Sequence, residues 1–166
     1  MTSNTDLNDE HPVKAYLLSH VTDALRRGGN IRVEEAVLNH GRPFIGVERP
    51  TGYRLRKIKK CFANAGYLAY NSLGLYVEGF VSSSGLPPVH HAWVTLDGVH
   101  AIDVTSREPP TDCLYFGVPF PLEVLQKWIE RPHGYLTMFD GAKPIEQIDE
   151  TLKDASREPL KVFSMA

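Results

Sequence analysis

The sequence predicts an α+β fold, and three observations predict it. "PVKAYLLSHVTDALRRGG" has Pro12 in a first-turn position, apolar residues at helical spacing and Gly28-Gly29 as a stop. "RLRKIKKCFANAGYLAYN" sets Leu55, Ile58, Phe62, Ala65 and Leu68 three or four residues apart, which places Cys61 on a helix ending near Asn71 and Gly74. Four short runs of β character follow, "GLYVEGFV", "VHHAWVTL", "VHAIDVT" and "CLYFGVPF", and four strands after a helix read as an antiparallel sheet.

The other elements follow from the same rules. "IRVEEAVLNHG" is compatible with a short helix or a strand, because its periodicity does not separate the two. The strands are joined by "SSSGLPP" (82–88), by Asp97-Gly98 as a tight hairpin, and by "SREPPTD" (106–112); the two long loops are placed to border a cleft. After Pro121, "LEVLQKWIE" reads as a helix, "RPHGYLTMFDGA" as a connector and "KPIEQIDETLKDA" as a last helix with Pro144 at its start. Residues 1–11 read as a disordered polar tail, and 12–166 as one domain whose chemistry-bearing core spans about 55–120.

Composition narrows the function classes. A net charge of −2 over 166 residues gives no overall attraction to nucleic acid or to a membrane surface. No run approaches the roughly 18 apolar residues of a membrane span, and "MTSNTDLNDEH" has neither a basic nor an apolar signal region. The expectation is a cytoplasmic protein. Two cysteines, Cys61 and Cys113, are too few for a disulfide framework, which leaves free thiols.

Cys61, the histidines of "HHAWV" and Asp103 of "AIDVT" occur in the order cysteine, histidine, aspartate. A thiol nucleophile needs a neighbouring base to hold it as thiolate, and that imidazole needs an acceptor on its other nitrogen to fix tautomer and orientation. Which histidine serves depends on the hairpin, since residues opposite each other on an antiparallel pair share a face. A two-residue Asp97-Gly98 loop sets Ala92 opposite Asp103 and puts His90 on the aspartate's face. A three-residue loop, Leu96-Asp97-Gly98 with Gly98 left-handed, sets His91 directly opposite Asp103. With His91 on that face Trp93 shares it, either walling an acyl-binding cleft or shielding an ion pair from water.

"KKCFANAGYLA", "YVEGF", "HAWV" and "IDVT" together resemble the transglutaminase-like branch of the papain-like cysteine hydrolases, over roughly residues 55–120. The resemblance implies a papain-like core with the cysteine helix packed on the sheet, Cys61 as nucleophile, His91 as general base and then acid, and Asp103 as the orienting carboxylate. It also favours the three-residue turn. Asp103-Val104-Thr105 stands where the family usually has Asp-Pro-Thr, and Lys60-Cys61-Phe62 where it has a small residue, cysteine and tryptophan, so the chain resembles a divergent member. In such enzymes the cysteine opens its helix, where backbone N–H groups favour thiolate and bind an oxyanion. The helix is therefore expected to begin near Lys59, with "GYRLRKI" extended before it.

Asn64, one turn after Cys61, is a candidate for reaching the reacting centre or for polar filling between helix and sheet. Tyr53 is a candidate oxyanion donor. His90 is expected to face away from the site, Glu78 to face water and Cys113 to serve packing, while "RLRKIKK" is a solvated face or a basic flank for the thiol. Zinc binding is an alternative, since His90, His91, Asp103 and a cysteine are admissible ligands, but adjacent strand histidines point to opposite faces and no Cys-x-x-Cys or His-x-x-x-His is present. A non-catalytic binding or inhibitor module on the same scaffold is another. The reading carried forward is a cysteine-dependent acyl-transfer enzyme acting on an amide or isopeptide bond of a protein or peptide (a protease, amidase, deamidase or transglutaminase), with no cofactor and no metal.

Overall fold

The computed structural model describes residues 11–29, 32–83 and 85–129, and their order is helix, helix, strand, helix, three strands, a 3-10 turn, strand and helix. Helix α1, Pro12–Arg26, buries Val13, Leu17 and Val21, the four-residue spacing that keeps one face on the core. Its last turn closes through Gly28 and Gly29, whose N–H groups donate to the carbonyls of Leu25 and Ala24, with Gly28 at φ 71. The expected tail ended at His11, yet His11 caps this helix and lies 5.4 Å, centroid to centroid, from the Phe116 ring. Residues 1–10, and the predicted connector and last helix beyond Ile129, lie outside the described residues.

The ambiguous "IRVEEAVLNHG" is helix α2, Arg32–His40, with Glu34 and Glu35 in its first turn, where the helix dipole favours them. Strand β1, Arg42–Gly46, was not expected, because Pro43 cannot donate to a ladder. It is tolerated because at Pro43 β1 pairs on one side only, with β5. Helix α3, Cys61–Tyr70, begins where the extended-entry expectation put it rather than at Leu55. Strands β2 (Leu75–Ser83), β3 (Val89–Thr95), β4 (His100–Ala101) and β5 (Cys113–Phe120) follow, with the 3-10 turn Pro110–Asp112 before β5 and helix α4, Leu122–Ile129, after it.

The strand order is β3-β2-β5-β1-β4, with β1 and β4 parallel and the other neighbours antiparallel. The sheet is therefore mixed rather than purely antiparallel. It also curls until its two ends meet: Val94 in β3 and Ile102, just past β4, exchange both backbone hydrogen bonds at 3.2 and 2.8 Å. The expected strand over 99–105 leaves the sheet after that bridge. Asp103 Oδ1 accepts from the N–H groups of Thr105 (2.8 Å) and Ser106 (3.0 Å), a local bond pattern that competes with ladder pairing.

Curling gives the sheet two buried faces. Even-numbered positions such as Tyr76, Phe80, Ala92, Val94, Phe116 and Val118 pack with Val13 and Leu17 of α1, Val37 of α2 and Leu68 of α3. Odd-numbered positions, with Phe44 of β1, form the inner cluster: Val77, Val81, Trp93, Ala101, Cys113 and Tyr115. Gly79 and Gly117 face each other across β2 and β5 on this inner side. A Cβ on Gly117 would sit 2.7 Å from the tip of the Trp93 ring, so glycine there makes room for the indole.

Candidate active site

Cys61 is the first residue of α3 and is partly exposed. Lys60, the N-cap, makes no side-chain capping bond, so its own side chain does not take up an N–H group of the first turn. Two ties hold the approach to the helix. The Arg56 N–H donates to the Val104 carbonyl at 2.7 Å, and Asn64 Nδ2 donates to the Lys57 carbonyl at 2.8 Å. Between them Lys59 is left-handed, at φ 61, which costs a non-glycine residue about 1–2 kcal/mol. That strain sits two residues before the thiol.

His91 lies on β3, buried, with Nε2 2.7 Å from Asp103 Oδ2. The Cys61 thiol is near enough to the His91 ring to help raise the imidazole pKa. Since Nε2 is engaged with Asp103, Nδ1 is the nitrogen left for sulfur. The three residues singled out in the sequence are thus brought together. Burial by itself would lower the His91 pKa, but the hydrogen bond and charge of Asp103, together with Cys61, outweigh it and raise the value to about 9. Burial likewise opposes ionisation of Asp103; the bond and charge of His91 and the N–H groups of Ser106 and Thr105 overcome it and hold the carboxyl below its ordinary range.

The hairpin takes neither expected register. With Val94 opposite Ile102 the turn is wider than two or three residues, and counting outward sets Trp93, not His91, level with Asp103. The face is as expected from the three-residue turn, because the two registers differ by two residues and side-chain direction has a period of two. His91 therefore reaches Asp103 on the diagonal. Asp97 holds the wide turn by accepting from the N–H groups of Val99 (2.9 Å) and His100 (2.8 Å), while Thr95 Oγ1 accepts from Gly98 N–H at 2.9 Å.

The side chain that joins His91 on Asp103 Oδ2 is one the sequence did not disclose. Tyr115 of β5 donates its hydroxyl to Oδ2 at 3.2 Å, and its own phenol pKa is pushed far up by burial and by the carboxylate charge. Nothing local marks Tyr115, since its meeting with Asp103 depends on how β5, β1 and β4 align. The available signal is parity: Tyr115 and Cys113 share a face of one strand. Cys113 is buried in the inner cluster and its thiol is pushed up by burial, in keeping with a packing role.

His90 points to the opposite face, where Nε2 lies 2.8 Å from Glu78 Oε1, and Tyr76 donates its hydroxyl to Glu78 Oε2 at 2.6 Å. Glu78 is fully buried, correcting the expectation that it faces water. β2 is covered on both sides, so alternation gives no solvent face, and a carboxylate there requires the partners it has. The His90 ring stacks on Phe80 and meets the Phe62 ring edge-on at 4.9 Å, which braces the start of α3.

The three further candidates take structural places. Tyr53 donates its hydroxyl to the Leu73 carbonyl, beyond the far end of α3 from Cys61, and is not placed as an oxyanion donor. Asn64 uses both amide hydrogens on Lys57 O and on Thr105 Oγ1 at 2.9 Å, so it ties the helix approach to the Asp103 turn and does not face the thiol. Trp93 is wholly buried, 6.5 Å from His91 and nearly parallel to it, with Tyr115 and Phe44 edge-on; it shields the pair from water and walls no open cleft. Among the described residues no three histidine, cysteine, aspartate or glutamate side chains stand together as a metal site, and no helix is long and apolar enough to cross a membrane. No protein-family model matches the chain, and no curated protein and no solved structure matches it significantly.

Proposed function

We propose that the protein is a cysteine-dependent acyl-transfer enzyme of transglutaminase-like, papain-like type, with Cys61 as nucleophile, His91 as base and acid, and Asp103 as the orienting carboxylate. The observation that carries this reading is the position of His91, bonded to Asp103 at 2.7 Å and near enough to a thiol that opens a helix for that thiol to help raise its pKa. A packing cysteine has no need of a buried imidazole–carboxylate pair beside it.

The chemistry follows from those positions. Sulfur attacks a carbonyl carbon, and the carbonyl electrons move onto oxygen beside the N–H groups of the first turn of α3. The His91 imidazolium then gives its proton to the leaving amine nitrogen as the C–N bond breaks, which leaves a thioester on Cys61. Neutral His91 takes a proton from water or an acceptor amine, which attacks the thioester and releases the thiolate, and the imidazolium is restored. Asp103 stays ionised and fixes the ring so that its second nitrogen serves sulfur.

p-Nitrophenyl acetate tests the reading without knowledge of the natural substrate. The expected result is a burst of nitrophenolate stoichiometric with protein, an acetyl group on Cys61 in tryptic fragments, and loss of both in His91→Ala. Acetylation confined to lysines, unchanged in His91→Ala, would overturn it and leave a binding module on this scaffold.

A further inference from the structure

Residues 54–60, "RLRKIKK", carry five cations and no acid, immediately before Cys61 in a chain of net charge −2. Arg54, Lys57, Lys59 and Lys60 are exposed. Arg56 is half-buried, its guanidinium over the Tyr67 ring at 4.3 Å. Among the described residues none of the five is paired with a carboxylate. A charge run on an unconstrained loop would be a solvated surface and nothing more. This one is tied down beside the thiol through Arg56 N–H on Val104, next to Asp103, and Lys57 O under Asn64, and it turns through the strained φ of Lys59. Consecutive Cα atoms are about 3.8 Å apart, so the Cα atoms of Lys59 and Lys60 lie within roughly a Debye length of that of Cys61.

We infer that this basic segment is the substrate-docking rail of the site and that the acyl donor is an acidic peptide segment, with aliphatic side chains among its carboxylates. The inference rests on the acyl-transfer reading and adds the substrate class to it. Leu55 and Ile58, 38% and 49% exposed, stand between the cations and supply apolar contact. A peptide is favoured over the other common polyanion, nucleic acid, on two grounds. The reaction needs an acyl carbonyl, which a phosphodiester backbone lacks, and the exposed side chains within the run are aliphatic, where single-strand binding uses aromatic platforms. With the chain as a whole slightly acidic, attraction is local to this rail and does not spread over the surface.

The test uses three chloroacetyl hexapeptides, glutamate-leucine, lysine-leucine and serine-leucine in composition, with labelling of Cys61 followed by mass spectrometry. Each rate is divided by the iodoacetamide rate of the same protein, so that thiol activation cancels. The expected result at about 20 mM salt is a glutamate peptide at least roughly tenfold faster than the lysine peptide, a gap that closes near 0.5 M salt as the charges are screened. Lys57→Glu/Lys59→Glu/Lys60→Glu should invert the order. Equal normalised rates for the three peptides would overturn the inference, as would protection of Cys61 by oligo-dT at lower charge concentration than by an unreactive glutamate peptide. If instead iodoacetamide labelling is indifferent to His91→Ala, the acyl-transfer reading fails, while the peptide ratios still report the rail.

Discussion

Tyr115 and His91 converge on one atom, Oδ2 of Asp103, from 3.2 and 2.7 Å. The phenol O–H takes up part of the carboxylate's charge and so moderates its pull on the imidazolium, while fixing the carboxylate plane that aims the ring. Tyr115→Phe should therefore cost about 1 kcal/mol in urea unfolding and shift the His91 titration upward from about 9, as followed by the ring proton in NMR. A role confined to packing predicts no shift in that titration.

Asp103→Asn removes the charge while keeping an oxygen for the Thr105 and Ser106 N–H groups. The His91 value should fall from about 9, because burial is then opposed only by Cys61. Alkylation of Cys61 at pH 7 should slow at least about tenfold, the change expected when a thiol loses its imidazolium partner. NMR and labelling on the same sample check both effects.

Stability should carry the same signature. His91 is raised in the folded chain, so its contribution is fully present below about pH 6.5 and is lost as pH rises through about 9. Asp103 is lowered, and its contribution is lost in acid as pH falls through its depressed value. Urea midpoints from pH 6 to 10 should decline in the wild type, and in His91→Ala that decline should be shallower.

The sequence made most of the fold legible, because helix periodicity and strand alternation are local. α1, β2, β3 and β5 lie where the pattern put them, whereas the periodicity that runs from Leu55 overshoots the start of α3 at Cys61. What was not legible is non-local. β1 was hidden by Pro43, which is tolerated where β1 has a single neighbour, and the curl that joins Val94 to Ile102 is set by the whole sheet. The site follows the same division. Cys61, His91 and Asp103 were visible as residue types in order on elements of the right kind. Glu78 was misread because alternation assumes one wet face, and Tyr115 was missed because its partner is fixed by strand alignment.

Asn64 illustrates a site residue whose part is structural. Asn64→Ala would strip donors from Lys57 O and Thr105 Oγ1 and release the turn that keeps Lys59 left-handed. A loss of about 2 kcal/mol in urea unfolding is expected, with faster amide exchange over residues 57–60. No change in exchange there would show that the tie does not hold the loop.

Gly117→Ala tests the inner cluster. The added methyl would lie 2.7 Å from the Trp93 ring and 2.8 Å from the Glu78 carbonyl, neither of which moves cheaply. A cost of about 1–3 kcal/mol is expected, with changed Trp93 fluorescence because the indole must shift. A stability equal to wild type would mean the sheet is looser at β2 and β5 than described.

The most direct measurement is the pH dependence of iodoacetamide alkylation, with Cys61 and Cys113 resolved by mass spectrometry, in wild type, His91→Ala and His90→Ala. Cys61 should be alkylated at pH 7 far faster than buried Cys113, His91→Ala should slow Cys61 at least about tenfold, and His90→Ala should leave its rate unchanged. If Cys61 instead reacts like an ordinary thiol in all three proteins, the thiolate–imidazolium pair does not exist and the acyl-transfer account is wrong.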